Sequence, residues 1–114
     1  MPDKAIDRAT FEELKLVSGA DFIGELIDTL LEDGPKLIGE LKSALKAGDA
    51  AAFRRAAHSL KSNGATFGAG HFSQLARDLE VIGKEERLGD AGDRIQVLET
   101  AFAMVAEELK GLRG

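Results

Sequence analysis

Apolar residues recur along this chain at steps of three and four, and no stretch alternates for long enough to make a strand, so the sequence predicts an all-α fold. A first helix, Asp7 to Val17, is short. Asp7 can cap it, Ile6 and Phe11 have the spacing of a hydrophobic staple across that cap, and Ser18-Gly19 ends it. A second helix should run from Ala20 or Asp21 to Ala47. Its apolar positions, from Phe22, Ile23 and Leu26 through Leu30 and Leu31 to Leu41 and Leu45, form a face too wide for a helix with one neighbour. Gly34-Pro35 falls inside it, where proline removes a donor and crowds the Leu31 carbonyl; a kink is expected rather than a break.

Gly48 supplies a left-handed stop and Asp49 the next cap, a connection so short that the third helix must return antiparallel. That helix carries Phe53, Ala57, Leu60 and Phe67 on one seam, with Gly64 filling the remaining turn, and ends around Phe67, where Gly68-Ala69-Gly70 reverses the chain. Phe72, Leu75, Leu79 and Ile82 mark a fourth helix, and a polar loop is expected over 83–89. A fifth helix starts at Asp90 or Asp93 and carries Ile95, Leu98, Phe102, Val105, Leu109 and Leu112. These narrow seams suit helices crossing at a shallow angle. The expected architecture is an antiparallel up-down four-helix bundle with a short additional N-terminal helix as a lid, one domain over residues 1–114.

Composition removes several classes of function. Fifteen Lys and Arg against 20 Asp and Glu leave a net charge of -5, and six Phe with no Tyr or Trp offer little for stacking on bases, so nucleic acid is not an expected ligand. The absence of cysteine excludes disulfides and thiolate metal sites, and no metal site is expected from carboxylates and two separated histidines. Met1-Pro2-Asp3-Lys4 is not followed by an apolar core of signal-peptide length, and no apolar run approaches a membrane span. A cytoplasmic monomer is expected.

Chemistry concentrates on the third helix. At roughly 100° per residue, His58 points about 140° away from the buried seam, into solvent. Arg54 lies one turn before it, Lys61 and Ser62 one turn after and Ala65 two turns after, so the imidazole stands among cations and short side chains. A cation beside an imidazole disfavours its protonated form, and the neutral ring is a nucleophile. An isolated exposed histidine is ordinarily surface polarity. Its setting here is what raises it above that, whereas His71, with no such setting, reads as a surface or capping residue.

The string His58-x-Leu60-Lys61-Ser62, with Gly68 ten residues after the histidine and Leu79-Glu80 some twenty after it, resembles the histidine-containing phosphotransfer (HPt) domain over nearly the whole chain. The family's motif usually reads His-x-Leu-Lys-Gly; Ser62 departs from it to another small residue, which bears on partner choice rather than chemistry. The resemblance implies that His58 accepts a phosphoryl group, that Lys61 offsets charge on the phosphoryl oxygens, and that Glu80 hydrogen-bonds the imidazole. On the fourth helix Ser73, Arg77, Glu80 and Lys84 share a stripe beside the seam, and Lys84 matches a position often basic in the family. Arg54, Ser62, Ala65, Gly68, Arg77 and Lys84 are the expected docking residues.

No Gly-rich nucleotide loop is present, nor any strand pattern to carry a receiver's Asp cluster, so the expected activity is that of a phosphoryl carrier rather than an ATP-using kinase. It would accept from an aspartyl phosphate on one receiver domain, or from a hybrid histidine kinase, and pass the group to a response-regulator aspartate. Any Mg²⁺ would sit on the partner, with no cofactor of its own. A helical module that docks on a receiver or kinase without carrying phosphate remains the alternative, and a general-base enzyme built on His58 lacks a second catalytic group.

Overall fold

The computed structural model describes residues 5–113; Met1–Lys4 and Gly114, the ends of the expected domain, lie outside them. Five α-helices follow in order: α1 (Arg8–Ser18), α2 (Ala20–Ala47), α3 (Ala50–Thr66), α4 (Gly70–Lys84) and α5 (Arg94–Arg113). No strand occurs among the described residues. Helix α3 packs on α2 and α4, and α5 packs on the same two helices from the other side, so the four long helices close a ring of contacts. Helix α1 lies on α2 and α3.

The expected boundaries hold to within a residue or two, and their causes can be seen. Ile6 and Phe11 are both buried, as a staple requires, but the Asp7 carboxylate accepts from the Thr10 hydroxyl at 2.7 Å instead of from a helix amide. Asp49 does cap α3, accepting from Ala52 N–H at 3.0 Å. Helix α2 runs unbroken through Pro35. Pro35 is exposed, so its missing N–H withdraws a bond on the side that water can reach.

One buried cluster joins all five helices. Phe53 and Leu60 from α3, Leu79 from α4, Ile27 and Leu41 from α2 and Leu98 and Leu109 from α5 are each essentially fully buried. The α4 seam differs from expectation at one point: Leu75 is half-buried and Ala76 takes the inner place. Phe22, expected on the apolar face of α2, is half exposed, and Leu16 and Val17 across the Gly19 junction are exposed too. The polar loop expected over 83–89 is shorter than that. Helix α4 continues through Gly83 to Lys84, and residues Leu88–Asp90 form a 3-10 turn.

Two glycines serve as packing notches. A Cβ on Gly34 would lie 2.2 Å from Cζ of Phe102, and one on Gly64 would lie 2.7 Å from Cδ2 of Phe72. The two rings meet each other at 5.7 Å between centroids, tilted by 53°. A single aromatic pair therefore spans the bundle from the α3 backbone to the α2 backbone. Gly34 is thus explained by the ring against it rather than by a helix break.

These notches generate a stability test in which two glycines of one helix respond oppositely. Gly34→Ala gains helix propensity but forces the Phe102 ring aside, an overpacking cost of about 1–3 kcal/mol. Gly39→Ala places a methyl in open space and should stabilise by about 0.5–1 kcal/mol. Urea midpoints should fall for the first and rise for the second; equal shifts would show that the Phe102 contact carries no weight.

Candidate functional site

The site lies on the faces of α3 and α4 that meet. Arg54 stands against Gly83, His58 against Glu80, Lys61 against Ser73 and Gly64 against Phe72, so along this contact α4 runs opposite to α3. His58 is on the exposed side of α3 because the seam residues Ala57 and Leu60 flank it and turn it outward. Its side chain is 58% exposed, whereas the Glu80 side chain beside it is 16% exposed.

Glu80 is held from two sides. Its Oε2 lies 2.7 Å from His58 Nδ1 and its Oε1 lies 2.7 Å from Lys61 Nζ. Neither Arg77 nor Lys84, its neighbours on α4, takes part; the carboxylate reaches across to α3 instead. The Lys61 ammonium is the largest influence on Glu80 and holds its carboxyl below the usual carboxylate range; partial burial pushes the other way, and the His58 contact adds to the lowering.

The tautomer of His58 follows from that charge. An ionised carboxylate can only accept hydrogen bonds, so Nδ1 carries the hydrogen and donates to Glu80, and in the neutral ring the free lone pair is on Nε2. An exposed nitrogen with a free lone pair, a ring fixed by a buried partner and an ammonium within one helical turn can together accept an electrophilic phosphoryl group. Stability is not a sufficient reason for this arrangement, since pairs at such partly exposed positions are worth about 0–1 kcal/mol.

The other expected site residues surround this core. Arg54, Ser62, Ala65, Arg77 and Lys84 are all exposed, and the short Ser62 and Ala65 continue the His58 face of α3. Gly68 has φ 79 and accepts from Asp7 N–H at 2.8 Å, which pins the start of α1 to the α3–α4 turn. A depression of about 410 Å³ beside Lys61 is lined by Thr10, Ala65, Gly68, Ser73 and Arg77. His71 is exposed at the start of α4, apart from the site. Two residues carry more than sequence reasoning gave them. The Ser73 hydroxyl donates to the Lys61 carbonyl at 2.9 Å, and Gly83 lets α4 approach the α3 backbone at Arg54. Ser73 was visible as a member of the Glu80 stripe; Gly83 had no signal beyond being a glycine near a helix end. No cluster of three or more potential metal ligands occurs among the described residues.

The chain resembles known proteins over most of its length. The sequence model of the Hpt domain family matches residues 25–110. The chain is also similar to the crystal structure of histidine-containing phosphotransfer protein B (HptB) from Pseudomonas aeruginosa PAO1, with 30% identity and a TM-score of 0.91 over 98% of this chain and 96% of that one. No curated protein matches by sequence.

The two contacts on Glu80 are unequal in their effect on its titration, which can be measured. In a carbon-detected NMR titration, Lys61→Met should raise the Glu80 pKa more than His58→Gln does, because the ammonium is the larger cause of its lowering. The opposite order would mean that the Lys61 contact does not persist in solution. The share of folding stability tied to Glu80 is present above the unfolded-state carboxyl pKa and is lost as pH falls through the lower folded value. Lys61→Met should therefore lose less stability than the parent as the solution is acidified.

Proposed function

The chain belongs to the Hpt domain family and is a histidine phosphotransfer protein of a phosphorelay, and on that premise we propose that Nε2 of His58 carries the phosphoryl group between receiver-domain aspartates. The observation that carries the assignment is the 2.7 Å contact of His58 Nδ1 with an ionised Glu80, because in the neutral ring it puts the hydrogen on Nδ1 and the lone pair on Nε2, on a side chain that is 58% exposed. Nε2 attacks the phosphorus of an aspartyl phosphate. The N–P bond forms as the P–O bond to the acyl oxygen breaks, and the electron pair leaves with the aspartate carboxylate. The ring becomes a phospho-imidazolium whose positive charge faces Glu80, so the carboxylate stabilises what develops during transfer as well as orienting the ring. Return of the group to a second aspartate reverses each step.

Lys61 has three N–H donors, and one is engaged by Glu80. The others can bond phosphoryl oxygens on the neighbouring His58, so the residue links the orienting carboxylate to the transferred group. Mg²⁺ belongs to the receiver in this reading. The receiver docks on the exposed surface formed by Arg54, Ser62, Ala65, Arg77 and Lys84, with Gly68 shaping the turn at its edge. An up-down antiparallel arrangement of α2–α5 in one domain, with α1 as the additional helix, is part of the same proposal. It is supported by the short connections at Gly48 and at Gly68-Ala69 and by the closed ring of helix contacts. The protein acts as a monomer in the cytoplasm, where receiver domains and hybrid kinases present their aspartyl phosphates.

Labelling tests the assignment directly. The protein mixed with ATP and Mg²⁺ should stay unmodified, then gain one alkali-stable, acid-labile phosphoryl group when a cognate phosphorylated receiver is added. His58→Gln should take no label. Glu80→Ala should still take it, but roughly ten- to a hundredfold more slowly, the loss of a charge-assisted bond of about 1–3 kcal/mol. Label persisting in His58→Gln, or a sound receiver complex that never labels the parent, would overturn the assignment.

Docking is tested by bulk. The receiver must bring its backbone close before phosphorus and Nε2 reach about 3–3.5 Å, and a long side chain at either small position would hold it off. Ser62→Arg and Ala65→Leu should leave stability within about 0.5 kcal/mol of the parent, while receiver affinity and transfer fall together. Parental binding in both variants would place the docking face elsewhere.

A further inference from the structure

Gly83 sits where glycine has no conformational use. Its backbone is not in the left-handed region, and the residue that does take that conformation at the end of α4 is Glu86, with φ 56. Within a helix a glycine is unfavourable relative to alanine, because it loses more backbone freedom on folding. The fold has therefore placed a non-glycine at the position that favours glycine, and a glycine three residues earlier where alanine would suit the helix better.

What Gly83 provides is closeness. A Cβ there would lie 3.0 Å from N, Cα and Cβ of Arg54. Those are backbone and first side-chain atoms of another helix, and they cannot swing aside as a ring edge can. Ordinary carbon contacts need about 3.5–4.0 Å, so a methyl at this position would push α4 from α3 by roughly half an ångström. The contact is one turn from the site: Arg54 precedes His58 by four residues, and Gly83 follows Glu80 by three. On the other side the same helix pair is fastened by the Ser73 hydroxyl on the Lys61 carbonyl at 2.9 Å. Between those fastenings one carboxylate must reach Nδ1 of His58 and Nζ of Lys61 at once, each at 2.7 Å.

We propose that Gly83 is a positioning residue of the relay site: by letting α4 touch the α3 backbone at Arg54, it sets the gap that Glu80 spans to hold His58 in its Nδ1–H tautomer. The inference rests on the phosphotransfer reading for its effect on rate, but not for its effect on the imidazole. Gly83→Ala widens the gap without altering any group of the site. Misplacement of about half an ångström should slow transfer on the order of tenfold. A glycine with a purely structural role would change stability and leave the tautomer alone.

The test is a long-range ¹H–¹⁵N NMR reading of the His58 tautomer, with transfer rates from a phosphorylated receiver measured alongside. In Gly83→Ala the Nδ1–H population should fall and transfer should slow about tenfold, and adding Gly83→Ala to Glu80→Ala should slow transfer no further. Glu80→Asp, which shortens the reach from the other side and does not depend on Gly83→Ala folding, should lose Nδ1–H population in the same way. The proposal is overturned if Gly83→Ala keeps the parental tautomer and rate, or if Glu80→Asp keeps the parental tautomer, since the gap then has slack to spare. Should the parent accept no phosphoryl group at all, the assignment of His58 as carrier fails, and the tautomer readings still decide the role of Gly83.

Discussion

One carboxylate answering two donors is the constraint around which this molecule is arranged. The ionised form of Glu80, a mostly buried side chain, is favoured by the Lys61 ammonium that lies against it. Because it is ionised it can only accept, and because it can only accept, the hydrogen of His58 is fixed on Nδ1. The cation lowers the carboxyl against the raising effect of burial, so with Lys61 beside it Glu80 stays an acceptor-only carboxylate to lower pH. Lys61 therefore contributes to the histidine's state through Glu80 before any phosphoryl group arrives.

That chain of causes needs two helices at a fixed distance, and the bundle core supplies the rigidity. Leu60 and Leu79, each two residues or fewer from a site residue, are completely buried. The site is thus carried by side chains whose neighbours in sequence are locked in the core, with the His58 ring more than half exposed above a mostly buried Glu80. The aromatic pair Phe72–Phe102 ties the same helix pair to α2 through the notches at Gly64 and Gly34. Close packing of this kind has little capacity to relax, which is why small differences in helix separation reach the site undiminished.

Much of this was legible in the chain itself, for reasons that can be named. Steps of three and four locate a buried stripe without knowledge of what covers it, so the seams of α3 and α5 and the outward direction of His58 could be read directly. Phe22 could not: a hydrophobic position says that burial is favourable, not that another element reaches it. Gly83-Lys84-Glu85-Glu86 has the composition of a loop, so the sequence predicts one from residue 83, whereas α4 runs on to Lys84 and Gly83 is a helix contact. The approach of Glu80 to His58 came from a family resemblance. Its second contact, with Lys61, is a matter of helix rotation and spacing, which no pattern along one chain encodes. Nor does a glycine announce whether it is needed for its φ or for its missing Cβ; Gly34, Gly64 and Gly83 all proved to be the second kind.

The bond from Asp7 N–H to the Gly68 carbonyl also has a consequence for the order of folding. It joins residues separated by more than half the chain, and its acceptor exists only once α3 and α4 have turned on each other at Gly68. Helix α1 is too short to persist alone in water, so it gains its shape from docking on a surface that the later helices must first create. Helix α1, although it precedes the other helices in the chain, therefore depends for its place on the turn between α3 and α4, and Ile6 and Phe11 join the core only when that turn is made. The rim of the site beside Gly68 and its interior at Glu80 thus rest on different contacts.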